Sequence, residues 1–304
     1  MTYIPDPEAI PALTDLRLKP PTGGGKPSPR RARKAEAALV RAEEAVRRTT
    51  TQTGPPLVAV ETDAAPHVRL GLLWATLTVG FTAAGEAWLA GWLAVVAGVA
   101  AGQLSHGWRR KGARPIQGVA MLSAAAMPLA ALAGADAMTG VVVATVGATL
   151  AVRLVLATGP SIGKPTRDVA FTLAAALPAG VAAASPVLVR GIGLTETLVF
   201  LSMVFAYDAA SYVVGTGSGG PWEGPVAGAV ATLPVTLVVA AVLVNPFTGS
   251  SPLVLGLVAM LAAPLGQLGA AALAGDVDAP ALRRLDSLLL AGPVWAWAAA
   301  SLLR

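Results

Sequence analysis

Four segments in the C-terminal half of the chain carry residue types that could do chemistry. They contain Asp208 in FAYDAASY, Trp222 and Glu223 in GGPWEG, Gln267 in PLGQLG, and Asp286 in RRLDSLL. Asp208 and Asp286 lie in or beside long apolar runs, where an ionisable side chain costs about 2.5–3.5 kcal/mol on membrane-insertion scales. Carboxylates in such surroundings bind cations, or they satisfy hydrogen bonds between helices.

The composition indicates which elements must position these residues. Of the 304 residues, 55% are hydrophobic and 13% are charged, and the mean hydropathy is +0.65. These values are too apolar for an ordinary soluble domain. The absence of cysteine excludes disulfides, iron–sulfur clusters and thiol catalysis. The net charge of +5 is small for this length and indicates membrane topology rather than nucleic-acid binding.

The chain divides into two regions of different composition. Residues 1–67 are polar, basic and rich in Pro and Gly, and are predicted to be a mostly disordered cytosolic tail. Residues 68–304 contain successive apolar runs, each near the roughly 20 residues that cross a bilayer. We therefore predict an all-α integral membrane protein, because helices satisfy their own backbone groups in lipid. Nine spans are predicted: 68–85, 87–106, 117–134, 138–157, 168–188, 194–214, 225–244, 252–274 and 284–303.

The distribution of Lys and Arg predicts the orientation. The even-numbered loops between these spans carry Arg109, Arg110, Lys111, Arg114, Lys164, Arg167, Arg283 and Arg284. The odd-numbered loops contain only Arg190. The positive-inside rule then places the N-terminus in the cytosol and, with nine spans, the C-terminus outside a cell membrane that the chain crosses many times.

This topology brings the polar segments to one depth. Asp208 lies about 14 residues from the outer end of its span, or about 21 Å at 1.5 Å per residue. Gln267 reaches a similar depth, and Asp286 opens the ninth span from the same side. Trp222 and Glu223 lie in a cytosolic loop. A polar cavity facing the cytosol is one interpretation, and hydrogen bonding between helices is the other. Gly224 and Gly228 are spaced to allow close helix packing.

The run YDAASYVVG…GGPWEGPVAGAV resembles the segment of phosphatidate cytidylyltransferases that reads roughly SDxxAYxxG and then SPKKTWEGxxGG. The terminal run RRLDSLLLAGPVWAW is similar to that family's DRxDSLxxAxPV. The resemblance covers most of residues 85–304. It implies a membrane enzyme that transfers CMP from CTP to phosphatidic acid and releases pyrophosphate, with Mg²⁺ held by carboxylates. It assigns Asp208, Asp286 and Arg284 to catalysis, and Trp222, Glu223 and Gly224 to substrate binding. Gln267 joins the predicted substrate-binding residues because it lies at the same depth.

The sequence departs from the family pattern where charge is needed. The two lysines of SPKK are absent, and Gly219, Gly220 and Pro221 stand before Trp222. Gln267 stands in place of an acid, and Arg283 replaces the first acid of DRxD. Metal binding would rest on Asp208 and Asp286, with Asp276 as a substitute ligand.

The favoured interpretation is a catalytically degenerate relative that binds a lipid phosphate, from phosphatidic acid or another anionic phospholipid. A homodimer or a membrane enzyme of phospholipid synthesis would be its partner. The alternative is an active divergent cytidylyltransferase that uses CTP and Mg²⁺.

Overall fold

The apolar runs form helices in the computed structural model, which describes residues 64–156, 165–216, 218, 220–242 and 245–303. In chain order these are α1 (Ala64–Ala84), α2 (Glu86–Arg110), α3 (Gln117–Ala131), α4 (Ala135–Leu156), α5 (Pro165–Arg190), α6 (Leu194–Gly215), α7 (Glu223–Val242), α8 (Ser251–Ala274) and α9 (Leu288–Leu302). A 3₁₀ turn, Leu282–Arg284, precedes α9. Over these residues the fold is all-helical, as predicted. The predicted tail before residue 64 lies outside the described part of the chain.

Seven of the described helices are long and apolar enough to cross a membrane. Two have shorter apolar stretches: Arg69–Ala84 in α1 and Gln117–Ala131, which is α3. The 15 residues of α3 extend only about 22 Å at 1.5 Å per residue, less than the ~30 Å hydrocarbon core. The length and composition of these helices therefore indicate a membrane protein, and the count of nine spans stays a prediction.

Consecutive helices pack against each other and run in alternate directions between short connections. One end of the bundle collects the C-terminal ends of α2, α4, α6 and α8 and the N-terminal ends of α3, α5, α7 and α9. Its connections include residues 111–116 and 275–287, which carry most of the Lys and Arg residues of the described loops. We call this the basic end. Every polar segment identified from the sequence lies at or near it.

Small side chains bring the helices of the bundle close together. Helices α2, α3 and α5 pack on one another through fully buried alanines, among them Ala97, Ala120 and Ala179. Helix α4 lies at the periphery, with only 11% of its apolar window buried. Close approach through small residues is the usual packing mode in membranes, where lipid provides no hydrophobic driving force between helices.

The crossing of α8 and α9 positions the basic end of the bundle. A Cβ atom at Gly266 of α8 would lie 2.7 Å from the carbonyl oxygen of Asp286 and 2.9 Å from that of Ser287. Both obstructing atoms belong to the backbone, so they cannot rotate away. Glycine at 266 is therefore what allows the residues before α9 to lie directly against α8.

We expect Gly266→Ala to destabilise the protein by about 1–3 kcal/mol, the usual cost of overpacking. Gly269→Ala is the matched control, because it lies one turn further along α8 with nothing within 4 Å of the added methyl group. Thermal unfolding of the purified variants in detergent measures the difference. Equal midpoints for the two variants would contradict the close crossing.

Candidate functional site

Two carboxylates distant in sequence meet at the basic end of the bundle. The Ser287 hydroxyl donates a hydrogen bond to Oδ2 of Asp208 at 3.2 Å, across 79 positions of sequence. The Ser287 backbone N–H donates to Oδ1 of Asp286 at 2.7 Å. Ser287 is fully buried, while Asp208 and Asp286 are both partly exposed. One serine therefore holds both acids, and we call Asp208, Asp286 and Ser287 the carboxylate centre.

Arginine side chains supply the opposite charge. Asp208 interacts electrostatically with Arg284 and with Asp286. Asp286 interacts with Arg284 and Arg283. The Arg284 guanidinium also reaches α1, since a Cβ at Gly71 would lie 3.5 Å from its Nη1 atom. The predicted catalytic residues Asp208, Asp286 and Arg284 are thus brought together by the fold.

A second hydrogen-bonded group lies on the same helices. The Tyr207 hydroxyl donates to Oε1 of Gln267 at 2.7 Å, and the Ser211 hydroxyl lies 3.5 Å from the same oxygen. Tyr207 is fully buried, whereas Gln267 is partly exposed. Gln267 of α8 thus bonds to Tyr207 of α6, which is the residue before Asp208. This contact is the interhelical hydrogen bonding that the sequence left open as an alternative to a polar cavity.

The WEG segment opens α7 at the basic end. Trp222 is 55% exposed, and Glu223 is also exposed. Gly224 is buried, and a Cβ there would lie 2.8 Å from the carbonyl oxygen of Ser211 and 3.1 Å from Cα of Gly215. A Cβ at Gly228 would lie 2.7 Å from the ring of Tyr207. The predicted packing role of Gly224 and Gly228 is confirmed, and it holds α7 against the helix that carries Asp208.

Asp276 is placed apart from the two acids of the centre. It lies in the exposed connection after α8 and forms an ion pair with Lys111. The hydrogen bond from Lys111 holds the pKa of Asp276 below its ordinary value. Within the described ranges, no group of three or more His, Cys, Asp or Glu side chains is arranged to hold a metal ion. The three acids predicted as metal ligands are therefore not gathered at one point.

Ser287 is the residue of the centre that the sequence analysis missed. Its only signal in the sequence is its position, a hydroxyl directly after an acid at the start of an apolar helix. Its backbone and side chain together fix the spacing of Asp208 and Asp286.

Comparison with known families shows which family the chain belongs to. A model of the cytidylyltransferase family matches residues 67–274, more than half of the chain. The chain belongs to the cytidylyltransferase family. This confirms the resemblance to phosphatidate cytidylyltransferases inferred from the YDAASY and WEG segments. The match includes Asp208 and Gly224 and ends at residue 274, before Arg284 and Asp286. No curated protein and no solved structure matches the chain.

The carboxylate centre fits one Mg²⁺ ion better than two. Magnesium is commonly held by one or two carboxylates, with substrate phosphates and water completing its octahedral coordination. Asp208 and Asp286 provide that number of carboxylates, and Arg284 provides a guanidinium that can contact phosphate oxygens. The arrangement can therefore take a phosphate group together with a single divalent cation.

The contact between Tyr207 and Gln267 predicts a measurable coupling between α6 and α8. Tyr207→Phe removes only the hydroxyl, and Gln267→Met keeps a similar length without the polar amide. In a double-mutant cycle we expect a coupling free energy of about 0.6 kcal/mol, the mean for hydrogen bonds between membrane helices, and at most about 1.7 kcal/mol. Unfolding free energies in mixed detergent provide the measurement. Strictly additive effects would show that the two side chains do not interact.

Proposed function

We propose that this chain is a phosphatidate cytidylyltransferase-like protein of the cell membrane whose carboxylate centre binds a lipid phosphate with Mg²⁺ and does not transfer CMP. The lipid is phosphatidic acid or another anionic phospholipid. The observation that carries the proposal is the convergence of Asp208, Asp286 and Arg284 around Ser287. Two carboxylates that share a site in an apolar bundle repel each other, and a bound divalent cation beside them would offset that repulsion.

The charges at the centre suit a phosphate monoester better than a triphosphate. Two carboxylates and one divalent cation leave little net positive charge, and Arg284 and Arg283 are the basic residues that interact with Asp286. Cytidylyl transfer requires an anionic lipid phosphate to attack a phosphate of CTP. In a low-dielectric site that step depends on cations placed around the reacting phosphates. The two lysines of the family's SPKK segment are absent here, where Gly219, Gly220 and Pro221 stand before Trp222.

The same proposal includes the topology. Nine helices would cross the membrane with the N-terminus and the basic end in the cytosol, because cytosolic loops carry the excess of Lys and Arg. Phosphate-bearing lipid would then reach the centre from the inner leaflet. Without turnover of its own, the protein would act through a partner, either a second copy or a membrane enzyme of phospholipid synthesis.

The second candidate function is cytidylyl transfer from CTP to phosphatidic acid. Family membership favours it, as does the survival of an adjacent acid pair. In that case Asp208 and Asp286 would hold Mg²⁺, Arg284 would bind phosphate oxygens, and Ser287 would position both acids. When bound, the ion would neutralise charge on the phosphates.

The test measures binding and turnover on the same purified protein in detergent. Binding of labelled phosphatidic acid is compared with and without Mg²⁺, and formation of CDP-lipid is followed with labelled CTP. Asp208→Asn removes a carboxylate charge while keeping the shape, so we expect it to weaken Mg²⁺-dependent binding at least about tenfold, or 1.4 kcal/mol. Asp276→Asn is the control, and we expect its binding to match that of the unaltered protein because Asp276 pairs with Lys111.

The outcomes separate the two functions. Mg²⁺-dependent binding without CDP-lipid supports the lipid-binding function. Magnesium-dependent CDP-lipid that disappears in Asp208→Asn would establish the second candidate instead. If phosphatidic acid binding is the same with and without Mg²⁺ and is unchanged in Asp208→Asn, the carboxylate centre is not the binding site.

A further inference from the structure

A polar cavity opens at the basic end, and neither Asp208 nor Asp286 is among the residues that line it. Its volume is about 1000 Å³, and it lies between the α2–α3 connection and the last turns of α4. Three arginines line it, Arg109, Arg114 and Arg153, together with the amide of Gln117. Its apolar wall includes Met121 of α3.

The wall of the cavity is fixed by a buried carboxylate that the sequence analysis did not single out. Asp168 of α5 is only 3% exposed. One of its oxygens accepts the backbone N–H of Arg114 at 2.9 Å, and the other forms an ion pair with Arg153. The neighbouring backbone N–H of Ile116 donates to the Thr172 hydroxyl at 2.9 Å. These bonds hold the α2–α3 connection against α5, so the fold itself fixes the wall of the cavity.

The charge in and around the cavity favours an anion. Three guanidinium groups line it. Asp168 pairs with one of them, that of Arg153, and its other oxygen is occupied by the backbone N–H of Arg114. Arg109 and Arg114 are exposed, and Arg109 donates to Oε1 of Gln117 at 3.4 Å. Among the described residues that line the cavity, none has an acidic side chain. Arginine binds phosphate oxygens in a planar, two-pronged geometry, so exposed guanidiniums at a cavity mouth suit a phosphate group.

The apolar wall distinguishes a lipid from a free anion. Met121 lies one turn beyond Gln117 on α3, and the adjacent Leu122 is 74% exposed. A ligand with its phosphate on the arginines would therefore lay its hydrocarbon part along α3. Basic pockets between membrane helices are recognised sites for anionic headgroups. The volume also exceeds what an isolated phosphate ion would fill.

We infer that the cavity lined by Arg109, Arg114 and Arg153 binds the headgroup of an anionic phospholipid, separately from the carboxylate centre. It needs no metal, because the arginines supply the positive charge. This site does not depend on the proposed function. Lipid held here would be structural or regulatory, and it would remain bound when Mg²⁺ is removed.

The test uses the full chain in detergent with EDTA. Because EDTA removes Mg²⁺, the Mg²⁺-dependent binding proposed for the carboxylate centre does not contribute to the measurement. Native mass spectrometry compares retention of phosphatidylglycerol with that of phosphatidylcholine. We expect the anionic lipid to be preferred by about tenfold, and Arg109→Gln/Arg114→Gln to abolish that preference. Both side chains are exposed. Asp168 accepts its hydrogen bond from the backbone N–H of residue 114, so the double variant retains that bond.

The matched control is Arg69→Gln/Arg110→Gln, which also removes two exposed arginines at the basic end. Neither Arg69 nor Arg110 is among the residues that line the cavity. We expect the control to keep the lipid preference and both double variants to unfold at the same temperature. Equal losses in the two double variants would show a diffuse charge effect and overturn the cavity as the site.

Inorganic phosphate distinguishes the source of the anion. Phosphatidylglycerol that stays bound in millimolar phosphate supports a lipid site. Phosphate that protects the protein against unfolding in an arginine-dependent way, without any lipid preference, would assign the cavity to a soluble anion and overturn the proposal. Asp208→Asn should leave the EDTA-resistant lipid unchanged, so failure of the carboxylate centre and failure of this cavity are separable.

Discussion

The hydrogen bonds of Ser287 are the interaction on which the carboxylate centre depends. A carboxylate between apolar helices is tolerated only when donors or cations face it. Ser287 supplies one donor from its hydroxyl to Asp208 and another from its backbone to Asp286. It can do so because the chain before α9 lies against α8 at Gly266, where a methyl group would not fit. The position of the acids is therefore set by backbone packing as much as by charge.

The sequence was sufficient for the helices and for the end of the bundle at which the polar residues lie, and not for the residues that they contact. Runs of apolar residues specify helices in lipid because no other open structure satisfies the backbone there. Counting residues along a span gives depth at 1.5 Å per residue, so Asp208 and Gln267 were correctly placed near one end. Hydropathy carries no information about which helices adjoin laterally. That is why Asp276 was grouped with the metal ligands, although Lys111, 165 residues away, is its partner.

The same limit explains the other residues that the sequence did not reveal. From the sequence alone, Arg153 lies near the end of a span and its side chain could extend to the membrane interface. The structure instead pairs it with Asp168 on the next helix. Gly224 belongs to the WEG segment. Because it has no side chain, its backbone packs directly against Ser211 and Gly215. A motif residue can thus report helix packing around a site rather than contact with substrate. Family membership here establishes the scaffold, while the chemistry rests on the charged residues that remain.

The connection between α8 and α9 contacts α2 and the start of the α2–α3 connection, and its contacts hold it in place. Its Ala281 backbone N–H donates to Oε1 of Gln103 on α2 at 2.9 Å, and Val277 fills the space beside Gly107. The exposed Lys111–Asp276 pair adds little, because solvent screens both charges. Coupling between two sites requires an element with two discrete arrangements that both sites bias. The structure holds this segment by packing and by the Ala281–Gln103 hydrogen bond. We therefore expect lipid in the cavity lined by Arg109, Arg114 and Arg153 and phosphate at the carboxylate centre to bind independently.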